Sequence, residues 1–247
     1  MFDLPGPRFM HETIKRERET PQRQGVPQPP LELAFPQNDF IPLPHPSSLV
    51  IAEFDLRKAI EQRESVRKYA PVSISLAELS YLLWCTQGVK AVTDRPATLR
   101  NVPSAGSRHA FETFLLVNRV DGLEAGVYRF GALEHGLAAV SHESDLAQKA
   151  CLACSKQEHI LNSAVTFFWV AVVERMTWRY VQRGYRYLFL DAGHVCQNLY
   201  LAAESLGCGV CAIAAFDDEA LNQFVGVDGE TQFVIYAATL GKKQALS

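Results

Sequence analysis

Residues 164–173, AVTFFWVAVV, are a continuous apolar run dominated by β-branched and aromatic side chains. The run is too short for a membrane helix, which needs about 18 apolar residues or more. It reads instead as a strand buried in the middle of a sheet. At 247 residues the chain is long enough to bury a sizeable core around that strand without disulfides or metals.

Further elements can be read on either side. A helix is predicted over 54–63, including Ile60, and Ser75-Leu-Ala-Glu78 reads as a capping box opening a helix to about Gly88. FETFLLVN at 111–118 reads as a buried strand and 126–130 as a short one, while 141–156 has helical character. The strongest helix is predicted over 190–206. There Val195, Leu199, Ala202, Ala203 and Leu206 recur at three- and four-residue steps, and Gly207 supplies a stop. Strands at 210–216 and 232–240 enclose a short helix at 217–224. Strands and helices mix without strict alternation, which predicts an α+β fold around one sheet.

Residues 1–47 stand apart. They hold most of the 13 prolines, including Pro29-Pro30, and cannot form a core of their own. Leu31, Leu33, Phe35, Phe40, Ile41 and Leu43 favour an arm laid over another surface, since a free tail gains nothing from them. The expected organisation is a proline-rich arm over 1–47 and one folded domain over 48–247.

A net charge of -3 gives no general field for nucleic acid or an anionic membrane, so any phosphate site must be a local basic group. The first residues lack the apolar stretch of a signal peptide, and the expected setting is cytoplasmic with reduced cysteines.

Three constellations carry chemistry. In Arg63-Glu-Ser65-Val-Arg67 the alternate residues point the same way if the stretch is extended. Two guanidinium forks around a hydroxyl then match a phosphate, although a solvated basic patch fits the spacing as well. Pro103-Ser104-Ala105-Gly106-Ser107-Arg108-His109 precedes the strand at 111–118; its small residues let backbone N–H groups meet an anion or ring carbonyl, or form an ordinary turn. In Gly207–Asp217 a strand ends at Ala214-Ala215 and Asp217 can cap the next helix, either exposing backbone donors to a planar ligand or simply connecting two elements.

In register, these motifs and Asp-Ala-Gly-His-x-x-Gln-Asn-Leu on the long helix resemble the FMN-dependent nitroreductases over residues 54–243. The Pro-Ser-Ala-Gly-Ser-Arg-His-x-Phe-Glu version is similar to the SagB-type branch, whose best-known members oxidise peptide azolines to azoles. The resemblance implies a nitroreductase-like fold with a mostly antiparallel sheet flanked by helices, in an entwined homodimer with two FMN sites. It places Arg63, Ser65 and Arg67 at the phosphate and ring edge, Ser104, Ala105 and Ser107 along the flavin, and Arg108 near the isoalloxazine. It also places Ala214 and Ala215 beside N5, and Lys242 and Lys243 back at the phosphate. The implied reaction passes hydride from NAD(P)H through flavin N5 to a small planar acceptor, a nitroaromatic or quinone, by a ping-pong mechanism. The alternatives are a SagB-type dehydrogenase acting on a peptide- or metabolite-derived substrate and a non-catalytic flavin-binding protein. The SagB-type branch uses a Lys–Tyr base, and the stretch Thr177–Tyr187 has tyrosines but no lysine.

Other features read as packing. Cys151-x-x-Cys154 and Cys208-x-x-Cys211 imitate zinc ligands, but the second pair falls in a strand, where i and i+3 face opposite ways. His194 reads as a helix-surface histidine. Trp178, Tyr180, Tyr185 and Tyr187 are either a lid over the substrate or packing.

Overall fold

The computed structural model describes residues 5–14, 19–35 and 40–244, so parts of the expected arm lie outside the described residues. In chain order the helices are α1 (Pro5–Glu12), α2 (Leu56–Gln62), α3 (Leu76–Gln87), α4 (Leu146–Ala153), α5 (His159–Asn162), α6 (Val173–Tyr180), α7 (Gly184–Glu204) and α8 (Asp218–Val225). The strands are β1 (Phe40–Pro42), β2 (Val89–Val92), β3 (Thr98–Arg100), β4 (Phe111–Val117), β5 (Gly126–Gly131), β6 (Gly136–Ser141), β7 (Val165–Val172), β8 (Cys208–Ile213) and β9 (Gln232–Lys242).

A seven-stranded sheet runs β1-β6-β5-β4-β7-β9-β8, with every neighbouring pair antiparallel, and β2 and β3 form a separate hairpin. The apolar run is its middle strand: every residue of β7 is buried. Alternation divides its side chains. Val165, Phe167 and Trp169 join the core beneath α3 and α7, and Phe168 and Val170 join the one beneath α4 and α8. The sheet is thus covered on both faces.

The capping box forms as the spacing predicts, with Glu78 N donating to Ser75 Oγ and Ser75 N donating to Glu78 Oε2. Several boundaries differ. The strand expected over 210–216 is β8, Cys208–Ile213, and stops before Ala214-Ala215, because its pairing with β9 ends at Ile213 opposite Ala237. The stretch expected to be helical from 141 ends a strand at Ser141, and α4 begins only at Leu146 after Asp145 in a left-handed conformation (φ 64°). Helix α7 starts at Gly184, six residues before the apolar repeat becomes clear, and α6 follows β7 directly with no loop between.

The arm lies on its own subunit. Gln22 N donates to Trp178 O (3.0 Å), Trp178 Nε1 to Val26 O (2.8 Å) and Arg175 Nε to Pro30 O (2.9 Å). Farther along, Leu33 N donates to Glu112 Oε1 (2.9 Å), and β1 extends the sheet with Phe40 opposite Ala138. Gly136 is required by this contact, because a Cβ there would lie 2.1 Å from the Phe40 ring. No helix among the described residues is long and apolar enough to cross a membrane.

Candidate functional site

Residues 65–70 cross the ends of the last two strands. Ser65 bridges to Val210, Val66 N donates to Val210 O (2.9 Å), and Ala70 N donates to Lys242 O (2.9 Å). Gly209 permits the approach, since a Cβ there would meet Val66 at 2.5 Å. The Tyr69 hydroxyl ties the segment down, donating to Val66 O and meeting Thr239 Oγ1, each at 2.7 Å.

This puts Arg63 and Ser65 against Tyr200 of α7. The Arg63 guanidinium carbon is 5.4 Å from the Tyr200 ring centre, and Ser65 Oγ is 3.0 Å from the Tyr200 hydroxyl, which also accepts from Ala212 N (2.9 Å). Among the described residues neither Arg63 nor Arg67 has an ion-pair partner. Ala214 lies four residues beyond Val210, roughly 13 Å along the strand direction. It lines a cavity of about 450 Å³ together with Phe189, Gly193, Phe216 and Tyr236. Ala215 is exposed beside it.

Lys242 and Lys243 are at the same end of β9 but face carboxylates. Lys242 Nζ is 2.5 Å from Glu78 Oε1 and Lys243 Nζ is 2.8 Å from Glu204 Oε2. As placed, both charges are neutralised, and among the described residues Arg63, Arg67 and Lys68 of this edge have no ion-pair partner.

The 104–108 loop is elsewhere. Ser104 Oγ donates to Asp191 Oδ2 (2.6 Å), Ala105 N donates to the same carboxylate (3.2 Å), and His109 N donates to Ser104 Oγ (2.9 Å). Gly106 takes its positive φ (59°) freely, but Ser107 and His109 are also held at positive φ (54° and 43°), backbone strain that the Asp191 clamp must hold. Burial raises the Asp191 carboxyl above its ordinary range, against the opposing pull of the Ser104 and Ala105 hydrogen bonds. Burial, followed by Arg100 and then Arg108, pushes His109 down to about 3, so it stays neutral at ordinary pH and supplies no general acid.

Asp191 and Tyr200 are nine positions apart on α7. At roughly 100° and 1.5 Å per residue they point from opposite faces, about 14 Å apart along the axis. One chain therefore does not bring the loop to Arg63 and Ser65. The face of α7 between them is uncovered: Phe189 and Leu190 are each 60% exposed, and a Cβ on Gly193 would meet nothing. Asp191 and Tyr200 both organise this region, and neither was singled out from sequence. Asp191 lies within the Asp-Ala-Gly-His motif, whereas Tyr200 carries no local signal.

The aromatic set is packing for the most part. Tyr180 and Tyr187 meet edge to face with ring centres 4.8 Å apart, and Arg108 lies 5.4 Å from the centre of the Trp178 ring. His194 is exposed on α7, and the six cysteines are free.

The profile of the nitroreductase family matches residues 60–242. The chain belongs to the nitroreductase family. It is 34% identical over 177 residues to a Methanocaldococcus jannaschii protein carrying the nitroreductase name, covering 72% of this chain and 87% of that protein. The trifolitoxin-processing protein TfxB of Rhizobium leguminosarum is 32% identical over 43% of this chain and 30% of its own length. Among solved structures, a nitroreductase-named protein of Anabaena variabilis superposes with a TM-score of 0.65 at 31% identity; 77% of this nitroreductase-family chain spans only 38% of that longer one. A chain of the E. coli microcin synthetase McbBCD complex with truncated pro-MccB17 bound shares the fold (TM-score 0.62, 17% identity, 96% and 94% covered). So does the NADPH:FMN oxidoreductase of Vibrio harveyi complexed with NAD+ (TM-score 0.55, 14% identity, 76% and 69% covered). Family and fold together support an oxidoreductase.

Proposed function

We propose that this chain is an FMN-dependent oxidoreductase, a homodimer that takes electrons from NADH or NADPH and delivers them to a small planar acceptor in alternating half-reactions. The observation that carries this reading is the edge at Arg63, Ser65 and Arg67. Arg63 and Ser65 sit together on Tyr200, Arg67 follows close to Cys211 and His159, and among the described residues neither arginine is ion-paired; an apolar, aromatic-lined cavity opens at Ala214, just past the end of β8. That order, anion site then flat cavity, fits a flavin mononucleotide from phosphate to ring.

When bound, FMN supplies the hydride chemistry at N5. Arg63 and Arg67 would hold the phosphate through charged hydrogen bonds, and Ser65 would add a neutral donor. Tyr200 fixes both Arg63 and Ser65 from the helix side, so the anion site is formed before the ligand arrives. Backbone N–H groups at Ala214 and Ala215 face the ring end. Lys242 and Lys243, held by Glu78 and Glu204, stand behind the arginines and add no free charge. In a dimer the loop would come to the ring from the second subunit, since Asp191 and Tyr200 point oppositely within one chain. Asp191 uses the Ser104 hydroxyl and the Ala105 N–H to hold the loop, leaving Ser107 and Arg108 as its available donors. The uncovered apolar face at Phe189 and Leu190 supports α7 as the dimer contact.

A second reading, oxidation of a peptide- or metabolite-derived substrate, is favoured by the relation to the trifolitoxin-processing protein. Tyr180 is in reach of the loop, its hydroxyl 2.4 Å from where a Gly106 Cβ would be, but the neighbouring cation is Arg179. An arginine does not give up its proton at neutral pH, so a base of the Lys–Tyr kind is missing there.

The test is flavin binding. Purified protein titrated with FMN should form a yellow complex with quenched flavin fluorescence, and an absence of binding at excess FMN would refute the proposal.

A further inference from the structure

The arginines around the 104–108 loop are not explained by flavin binding alone. Arg108 is 6% exposed, and its Nε donates to Gly106 O (3.1 Å), while among the described residues its two terminal nitrogens have no hydrogen-bond partner. Arg179, on the last turn of α6, has Nη1 shut away from solvent with no partner. Arg95, in the loop between β2 and β3, is close enough that its charge, like that of Arg179, lowers the proton affinity of Arg108. Among the described residues none of the three is ion-paired.

Their surroundings show the contrast. Arg175, one helical turn before Arg179, is paired with Glu112 at 2.5 Å, and Lys242 and Lys243 are both paired. Arg108 is buried, Arg179 half-buried and Arg95 exposed; withdrawing the first two from water without an ion-pair partner is costly, and a like charge close by adds to that cost. Such a cluster is retained where a ligand completes it. The pieces are also held in place: Trp178 lies against Arg108, and the arm fixes the β2–β3 loop through Gln28 Nε2 donating to Pro96 O (2.6 Å). Planar guanidinium forks match the paired oxygens of a carboxylate or phosphate. The Tyr180 hydroxyl, packed on Gly106, offers a neutral donor at the same place.

We propose that Arg108 and Arg179, with Arg95 at the rim, form a binding site for an oxyanion, a carboxylate or a phosphate, carried by the substrate that enters beside the 104–108 loop. Only the word substrate rests on the oxidoreductase reading; binding of the anion does not. The acceptor or the electron donor of this enzyme is then an anionic molecule, held by its charged end here.

The test uses the full chain, tryptophan emission, and three probes: benzoate, inorganic phosphate and neutral benzamide. Trp178 beside Arg108 should report saturable binding of benzoate or phosphate that weakens with added salt, and none of benzamide. The Trp178→Phe variant should lose the signal. Arg179→Gln should weaken the anion at least tenfold, Arg179→Lys should restore part of it, and FMN affinity should be unchanged in both. Preference for phosphate points to a phosphorylated donor, and preference for benzoate to a carboxylate-bearing acceptor. Absence of saturable anion binding, or equal affinity in wild type and Arg179→Gln, would overturn the site. Failure of the wild type to bind FMN while binding the anion would refute the flavin reading and leave this one intact.

Discussion

Glu32, in the arm, meets a second buried carboxylate. Its side chain accepts from Ala132 N (2.5 Å) and faces Glu112, Glu134 and Arg100. Burial first, then the Glu112 charge, pushes its carboxyl up to about 7 from an ordinary 4.5. A gap of that size corresponds to roughly 3 kcal/mol at about 1.4 kcal/mol per pH unit. The folded chain holds this proton where the unfolded chain has lost it. The contribution is therefore complete below about pH 4.5 and lost as the pH rises through about 7. Glu32→Gln keeps the acceptor for Ala132 and cannot ionise. Urea unfolding of both proteins at steps from pH 4 to pH 8 isolates the effect as a difference, because His109, with its pKa pushed down, acts in the opposite sense in both. Wild type should lose roughly 3 kcal/mol relative to Glu32→Gln across that range, with most of the change between pH 5 and 7. A flat difference would show that Glu32 is not buried against Glu112, and with it that the arm does not lie where the structure puts it.

Three further outcomes are expected. Arg63→Ala should weaken FMN by about 1.5–3 kcal/mol, the usual scale of a hydrogen bond to a charged group, read by flavin titration; unchanged affinity would remove Arg63 from the phosphate site. Gly106→Ala adds a Cβ at positive φ, 2.4 Å from the Tyr180 hydroxyl, and should destabilise the loop by about 1–3 kcal/mol, seen as faster amide exchange over 104–109 with little change in the sheet. Leu190→Glu, at a side chain 60% exposed in one chain, should leave the fold intact and shift sedimentation from dimer to monomer, lowering flavin occupancy along with it.

Local patterns were the legible part of this chain. Continuous apolar character placed β7 within a residue of its ends, and Ser75 with Glu78 marked the start of α3. The elements that escaped depend on distant partners. Strand β6, GLAAVS, has almost no β-branched character and exists because β1 and β5 pair with it. The start of α7 at Gly184 was hidden because Tyr187 packs edge to face on Tyr180, and Tyr185, two positions away, points to another side of the helix, so the two make no single apolar stripe. In the candidate site, the spacing of Arg63, Ser65 and Arg67 could be read directly, whereas the packing of Arg63 and Ser65 on Tyr200 appears only in the folded chain. The roles of Lys242 and Lys243 could not, since they depend on Glu78 and Glu204, which only folding brings near. The Asp191 clamp was hidden for the same reason: a helical aspartate reads as surface until the loop from 87 residues earlier in the chain is seen on it.

Electron transfer through a bound flavin can be watched directly as colour. Protein reconstituted with FMN and held without oxygen should lose its yellow absorbance when NADH or NADPH is added, and regain it when a nitroaromatic or quinone follows. A flavin that binds but keeps its colour with both donors, while dithionite still bleaches it, would contradict the account and leave a flavin-binding protein without this turnover.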